Sequence, residues 1–433
     1  MVLLARQGRR YYVSKLSLLG GEKTVTAAHP HYKWPPDADM LELEDLVAQR
    51  NTDISTAGRT GPIRDFEEAF LEFMEGRVKY AVTFNSGTSA LLAAYFALGV
   101  RDGDEVIGPA LTFHAALSPA LILGASVRLV DIDKNTRCID PEKVKEAITE
   151  KTKVLTVVHQ WGHPCDMDRL VDIVRRHNLF LLEDCSHAHG SQYKGQLVGT
   201  FGDVAVFSLQ ANKGVFAGEG GILVTNDSNM HDRATLLGHY RDRSRDEVVS
   251  KDLRKYWVTG FGQKLRMSPF NAIVALHSLR AFPERKQRRH KALAYFTERL
   301  QEVDYIEPPY VATNVDMGAW YGYKPLYIKE RLSNVPRPLL VRALRAEGVK
   351  VSIPSAPPVG TLPLYAENLH PLFPGKGWYR NDVESHPVAR QIASMALSLP
   401  PFWRWPEDRE IIDQYISAFL KMQSNVHDLL SLV

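Results

Sequence analysis

From about residue 60 the chain alternates between helix-like and strand-like segments, and this alternation restricts the possible folds more than any other feature. The helix-like segments begin with GPIRDFEEAFLEFMEG and NSGTSALLAAYFALG; the strand-like segments include YAVTF, DEVIGPA, SVRLVDID, KVLTVVHQ, LFLLEDC and DVAVFSL. Parallel strands need long crossover connections, which are usually helical. The pattern therefore predicts an α/β fold whose mostly parallel central sheet is flanked by helices.

Chain length indicates more than one domain. With 433 residues, 45% of them hydrophobic, the chain is too long for a single core of ordinary size. Long helices are predicted between about residues 265 and 300, followed by a proline-containing segment with α+β character. We expect an N-terminal arm and lead-in over 1–59, a large ligand-binding α/β domain over 60–280 and a small α+β domain over 281–433.

Charge and cysteine content exclude several classes of protein. A net charge of +3, from 53 basic and 50 acidic residues, gives no reason to expect a nucleic-acid partner or an anionic membrane. Cys138, Cys165 and Cys185 are too few for a disulfide framework and are expected to be packing residues. Without a signal-peptide core or an apolar stretch of roughly twenty residues, the expected location is the cytoplasm.

Ligands of a parallel sheet bind beyond the carboxyl ends of its strands, so the candidate residues are those that follow each strand. Gly87, at the start of a helix, leaves backbone N–H groups for a phosphate, although a plain helix cap by Ser86 or Thr88 explains the same letters. Glu183 and Asp184 end an apolar strand. A buried carboxylate there needs a cation, which an arginine or a pyridinium nitrogen would supply.

Other strand ends carry aromatic, basic and imidazole groups. Phe113 is either a core residue or an aromatic face for a flat ligand, and Lys213 is either a surface charge or an amine placed beside a ligand. The histidines at these ends are His159, His163, His187 and His189. Their spacing lacks the glutamate of a zinc-peptidase motif, so no metal is expected, and His187 is a candidate donor to a ligand oxygen.

Taken together, these features favour one cofactor. A phosphate-binding helix start, an aromatic face, a strand-end carboxylate, a histidine and a lysine among glycines are what pyridoxal 5′-phosphate (PLP) requires. The lysine amine bonds to the cofactor aldehyde, and the carboxylate keeps the pyridine nitrogen protonated so that the ring can absorb electrons.

The ordered segments NSGTSAL, GDEVIGPALTFHA, VDID, HQWGHPCDMD, EDCSHAHGS, GTFGDVAVFSLQANK and GEGGILVTND resemble the DegT/StrS family of sugar aminotransferases, which are PLP enzymes of fold type I. The similarity extends from about residue 60 to 280. LSLLGGEKTV and GFGQKLRMSP look more like the branch that acts on cyclitols and related antibiotic precursors.

The resemblance implies a role for each candidate. Lys213 would bond to the cofactor and move protons, Asp184 would pair with the pyridine nitrogen, and Phe113 would lie against the ring. His187 occupies a position where the family often has glutamine, facing the phenolic oxygen. The phosphate would be held by Gly87, which allows the turn, by the backbone N–H groups of Thr88 and Ser89, and by the Ser208 hydroxyl.

The sequence departs from the family pattern in two places. Lys264 in KLRM aligns with an asparagine that in many relatives reaches the neighbouring subunit's phosphate, so a lysine contact to that phosphate is expected instead. HQWGH stands where many relatives have an HLYG-like sequence, so Trp161 and His163 either line a different substrate pocket or simply pack.

The resulting hypothesis is a transaminase that acts in two half-reactions. Glutamine or glutamate donates the amino group, pyridoxamine 5′-phosphate carries it, and a keto sugar or keto cyclitol receives it, in antibiotic or amino sugar biosynthesis. A homodimer with shared active sites is implied by the resemblance. The alternatives are a pyridoxamine-phosphate-dependent sugar dehydratase, whose relatives replace the lysine with histidine, and a PLP-binding regulatory protein without turnover.

Overall fold

The structure, a computed structural model, describes residues 2–6, 9–30, 60–367 and 385–432. The strands are β1 (Val2–Arg6), β2 (Arg9–Val13), β3 (Tyr80–Phe84), β4 (Glu105–Pro109), β5 (Ser126–Val130), β6 (Thr152–Val158), β7 (Phe180–Asp184), β8 (Gln192–Tyr193), β9 (Gln196–Leu197), β10 (Val204–Ser208), β11 (Gly221–Thr225), β12 (Ile306–Glu307), β13 (Val315–Asp316) and β14 (Leu326–Tyr327).

The α-helices are α1 (Pro62–Phe73), α2 (Gly87–Ala97), α3 (Ser118–Ile122), α4 (Pro141–Ala147), α5 (Met167–His177), α6 (Ser228–Gly238), α7 (Asp242–Glu247), α8 (Lys251–Arg254), α9 (Pro269–Arg280), α10 (Phe282–Leu300), α11 (Arg337–Ala346), α12 (Pro363–Ala366), α13 (Pro387–Met395), α14 (Arg409–Ser424) and α15 (Val426–Leu430). Short 3₁₀ helices cover Ser17–Leu19, His114–Ala116, Gln160–Gly162, Lys329–Leu332 and Val359–Thr361. None of these helices is both long and apolar enough to cross a membrane.

A seven-stranded sheet in the order β3-β11-β10-β7-β6-β4-β5 forms the centre of the larger part of the chain. Strand β11 runs antiparallel to both of its neighbours, and the other pairs are parallel. The predicted mostly parallel α/β sheet is therefore confirmed. The carboxyl ends of β3, β4, β6, β7 and β10 meet at one edge, which is where the ligand-binding rule for such sheets places a site.

A buried ion pair fixes α1 against this sheet. Glu67 of α1 accepts hydrogen bonds of 2.9 and 3.0 Å from the Arg243 guanidinium of α7. The same carboxylate accepts from the Thr83 backbone N–H and hydroxyl in β3, both at 2.8 Å. Because every oxygen of this buried carboxylate is used, the pair joins three elements at little cost in unsatisfied polar groups.

A second hydrophobic core lies in the C-terminal part of the chain. It contains residues from the last turns of α10, from α11 and from α14, together with Leu16 and Val25 of the N-terminal segment. Glu347 anchors that segment, because its carboxylate accepts from the Ser17 backbone N–H at 2.8 Å and from Lys421 Nζ at 2.9 Å. The predicted boundaries at 59 and 280 stay predictions, and residues 31–59 lie outside the described part.

Candidate active site

A cleft of about 500 Å³ lies at the carboxyl edge of the sheet. The residues that the sequence singled out and that line this cleft are Gly87, Thr88, Phe113, Asp184, His187, Ser208 and Lys213. They come from four separate strand ends, those of β3, β4, β7 and β10, so their convergence is a consequence of the parallel sheet. Trp161 also lines the cleft, and segment 352–356 of the C-terminal part closes one side of it.

The amino end of α2 forms a narrow cradle. Ser86 is the N-cap, since its Oγ accepts from the Ser89 N–H at 3.0 Å. The capping alternative is thus correct for Ser86, and it leaves the N–H groups of Gly87 and Thr88 at the unsatisfied end of the helix. A Cβ on Gly87 would lie 2.7 Å from Ser208 Cβ. Glycine is required here by the close approach of α2 to the end of β10.

Two predicted phosphate ligands lie outside the lining of the cleft. The Ser89 N–H already donates to the capping Ser86 Oγ. The Ser89 hydroxyl accepts a hydrogen bond from the same Oγ at 2.9 Å. Lys264 is exposed, and it precedes Leu265, whose carbonyl accepts from the Asn85 N–H at 2.7 Å. Lys264 therefore lies on the surface next to the loop that leads into the cradle. Both contacts stay predictions.

Asp184 ends β7 at the floor of the cleft. Its side chain is buried, and one carboxylate oxygen accepts from the Ser186 N–H at 3.0 Å. Burial raises the pKa of Asp184 above its usual range, whereas the Ser186 hydrogen bonds and the Lys213 charge lower it. An added positive charge in the cleft would stabilise the ionised form further.

Glu183, the neighbouring carboxylate, has a structural role. It accepts from the backbone N–H groups of Gly199, Phe201 and Gly202 at 2.7–2.8 Å, and it lies 3.2 Å from His159 Nε2. Backbone amides therefore take the place of the arginine that was one of the two partners the sequence allowed. Although His159, Glu183 and Cys185 lie close enough together to hold a metal, the His159 and Glu183 ligand atoms are already engaged in hydrogen bonds.

His187 is held in one tautomer by its surroundings. Its Nδ1 accepts from the Trp161 backbone N–H at 3.4 Å, so the ring proton lies on Nε2. The imidazole stacks on the Tyr321 ring with centroids 4.0 Å apart and an interplanar angle of 6°. Burial lowers the pKa of His187 well below its usual range, and the Lys213 and Lys324 charges act in the same direction. His187 is therefore a neutral donor.

Lys213 lies in the turn that follows β10. Its Nζ is 4.1 Å from the centroid of the Tyr321 ring. Burial lowers the pKa of this amine to about 8, and the Asp184 charge opposes that effect. The following Gly214 has no room for a side chain, because a Cβ there would lie 2.3 Å from Ala319 Cβ. The close packing holds the turn, and the lowered pKa makes the amine a better nucleophile at neutral pH.

Several residues of the cleft were missed by sequence reasoning. Tyr321, Lys324 and Ser398 line it, yet they lie in the C-terminal part, more than a hundred positions after Lys213. YGYKP has no local pattern that assigns it to a site. His163, conversely, packs: its Nδ1 donates to the Pro164 carbonyl at 2.7 Å and its Nε2 accepts from the Ala312 N–H at 3.3 Å.

The cleft fits PLP. A glycine cradle with free helical N–H groups suits a phosphate, and an acid at the floor suits a pyridinium nitrogen. Phe113, whose side chain is 55% exposed at the rim, is available to cover a flat ring. With a nucleophilic amine on the same cleft, the fold and the site define a PLP-dependent enzyme of fold type I.

Comparison with known proteins identifies the family. The model of the DegT/DnrJ/EryC1/StrS aminotransferase family matches residues 38–405, so the chain belongs to this family of PLP-dependent aminotransferases. The match includes the region of predicted resemblance and continues into the C-terminal part. Both the predicted family and the predicted enzyme class are confirmed.

Two curated relatives illustrate the range of substrates in the family. The L-glutamine:scyllo-inosose aminotransferase of Streptomyces griseus is 36% identical over 77% of this chain and 79% of its own. The GDP-perosamine synthase of Escherichia coli O157:H7 is 33% identical over 75% of this chain and 85% of its own.

Solved structures have the same fold. The aminotransferase from Psychrobacter cryohalolentis has a TM-score of 0.79 and 25% identity, and the alignment covers 92% of this chain and all of that one. DesV of S. venezuelae, in complex with a ketimine intermediate, has a TM-score of 0.70 and 29% identity over 88% of this chain and 97% of its own.

Proposed function

We propose that this protein binds PLP and transfers an amino group from glutamine or glutamate to the ketone of a keto cyclitol or keto sugar. The family, the cleft and the relatives that act on inososes support this proposal. The product would be an amino cyclitol or amino sugar, as used in antibiotic biosynthesis.

Each cleft residue has a distinct task in this proposal. PLP, when bound, supplies an aldehyde that takes up the amino group and a ring that absorbs electrons. Lys213 would hold the cofactor at its aldehyde through Nζ and, when the amino donor displaces it, would be free to carry a proton. Asp184 would stabilise a protonated ring nitrogen, and His187 Nε2–H would donate to the ring oxygen. Gly87, Thr88 and Ser208 would hold the phosphate.

The state of Lys213 is the observation that carries the proposal. A half-buried amine whose pKa is about 8 is partly neutral at physiological pH, as a nucleophile and proton carrier must be. A dehydratase of the same fold would have histidine at this position. A binding protein without turnover would not need a neutral amine, an acid and a neutral imidazole donor on one cleft.

A second copy of the chain would complete the site. We expect a homodimer in which the exposed Lys264 reaches the partner's phosphate. The position of Lys264, next to the cradle loop but outside the cleft, supports a contact across an interface.

The absorbance spectrum of the protein with PLP tests the proposal directly. A band that depends on Lys213 should disappear when glutamine or glutamate is added and return when a suitable ketone follows. Lys213→Ala should lack the band and nearly all turnover, whereas Lys79→Ala, at an exposed lysine before β3, should retain both. The proposal is wrong if the wild-type spectrum matches that of Lys213→Ala and neither donor changes it.

A further inference from the structure

The cleft contains a second lysine to which the reaction outlined above gives no task. Lys324 follows the β-bridge residue Tyr323 and lines the cleft together with Lys213, Tyr321 and Ser398. Its Nζ donates to Ser398 Oγ. Its charge also helps to lower the pKa of His187.

In the described part of the chain, no carboxylate compensates the charge of Lys324. Burial lowers its pKa to about 8, and no carboxylate among the described residues counteracts that shift. A buried ammonium is costly unless an anion accompanies it. Its one described hydrogen-bond partner is a neutral hydroxyl, so the group is prepared for an anion that arrives from outside.

A buried cation, Arg137, lies against the backbone of the half-buried Lys324. Arg137 is only 5% exposed, and its guanidinium donates to the Lys324 backbone carbonyl. Its Nε has no hydrogen-bond partner among the described residues. The carboxylate that most affects its pKa, Glu307, already forms an ion pair of 2.9 Å with Arg331. Among the described residues, neither Lys324 nor Arg137 forms an ion pair with a carboxylate.

Gly322 leaves room for the side chain of Lys324. A Cβ on Gly322 would lie 2.9 Å from Lys324 Cε and 3.3 Å from its Nζ. Glycine at 322 is what allows the stem to lie flat over the chain.

We infer that Lys324, positioned by Arg137 and Gly322, binds the α-carboxylate of the amino donor. This inference rests on the proposed function, since that function brings an amino acid into the cleft. Every amino acid donor carries a carboxylate next to the reacting carbon, whereas a keto cyclitol carries only neutral hydroxyls. A charge-assisted hydrogen bond at this point would select the donor and orient its α-carbon toward Lys213.

The test separates the carboxylate from the rest of the donor. PLP-loaded wild type and Lys324→Met are titrated with L-glutamine and with L-glutaminamide, in which an amide replaces the α-carboxylate, and the absorbance change is followed in a single turnover. We expect Lys324→Met to weaken the apparent binding of glutamine by about tenfold to a hundredfold, with a smaller effect on the amide. The amino form of each protein is then mixed with scyllo-inosose, and the two proteins should behave alike.

Two further variants make the outcome decisive. Gly322→Ala, whose Cβ meets only the flexible end of the Lys324 side chain, should weaken glutamine in the same direction but by less than Lys324→Met. Lys350→Met removes an exposed lysine at the adjoining groove and should change neither titration. Equal losses for glutamine and its amide, or no loss at all, would overturn the carboxylate role. If wild type itself fails to respond to glutamine and glutamate, the proposed function fails first and the inference with it.

Discussion

The pKa of Lys213 leads to the most direct quantitative prediction. Burial lowers it to about 8, compared with about 10.4 for an unperturbed lysine. At pH 7.5 the neutral amine would then make up about a quarter of the population, compared with roughly one in a thousand for an exposed lysine. The cleft should therefore raise the concentration of nucleophilic amine by about two hundredfold.

The rate at which protein free of PLP captures added PLP measures this difference. A lowered pKa means that the amine is protonated below pH 8 and neutral above it, so the capture rate should rise with pH and level off above about 8. Stopped-flow absorbance between pH 6 and 10 follows the reaction. Nα-acetyl-lysine, measured in parallel, reports the pH dependence of the aldehyde itself.

Substitution of Asp184 tests the direction in which its charge shifts the pKa of Lys213. The Asp184 charge raises the pKa of Lys213, so Asp184→Asn should move the midpoint of capture below that of the wild type. Reductive trapping followed by mass measurement confirms that the captured amine is Lys213. A wild-type midpoint near 10, or an upward shift in Asp184→Asn, would refute the argument that burial controls this amine.

Two further predictions concern the scaffold of the site. Glu67→Gln removes one of the two carboxylates that pair with the buried Arg243, the other being Glu247, and should reduce the free energy of unfolding by about 2 kcal/mol in denaturant titrations. Glu68→Gln, in an exposed pair on the same helix, should change the free energy of unfolding by less than about 1 kcal/mol. Similar losses for the two variants would contradict a stabilising role of the buried Glu67–Arg243 pair. Gly87→Ala places a Cβ 2.7 Å from Ser208 Cβ, and equilibrium titration should show PLP binding weakened by about tenfold. Partial recovery in a Gly87→Ala variant that also carries Ser208→Gly would identify the steric contact as the cause; unchanged affinity in Gly87→Ala would count against the cradle.

The sheet and most of the cleft were predictable from local patterns. Gly87, Phe113 and Lys213 each follow a strand within a few residues, Asp184 ends one, and the carboxyl ends of parallel strands meet at one edge. Strand periodicity together with a short list of chemically distinctive residues was therefore enough to assemble them. The order of the motifs along the chain was enough to predict the family.

Other features were decided only by the tertiary structure. The sequence left open whether Ser86 or Thr88 caps α2. It suggested a cation as the partner of a buried strand-end carboxylate, whereas Glu183 is surrounded by backbone amides from the loop before β10. The proton position on His187 depends on the Trp161 N–H, which a local pattern does not reveal.

Tyr321 and Lys324 show most clearly why part of the cleft could not be predicted from the sequence. They enter the cleft because the C-terminal part packs against the carboxyl edge of the sheet, more than a hundred residues from Lys213 along the chain. Helix and strand periodicity follows from contacts between near neighbours in the sequence, so the sequence by itself determined the sheet, its edge and the residues on that edge. The lowered pKa of Lys213, the orientation of His187 and the uncompensated charge of Lys324 arise from burial between distant segments, and burial is a property of the folded chain alone.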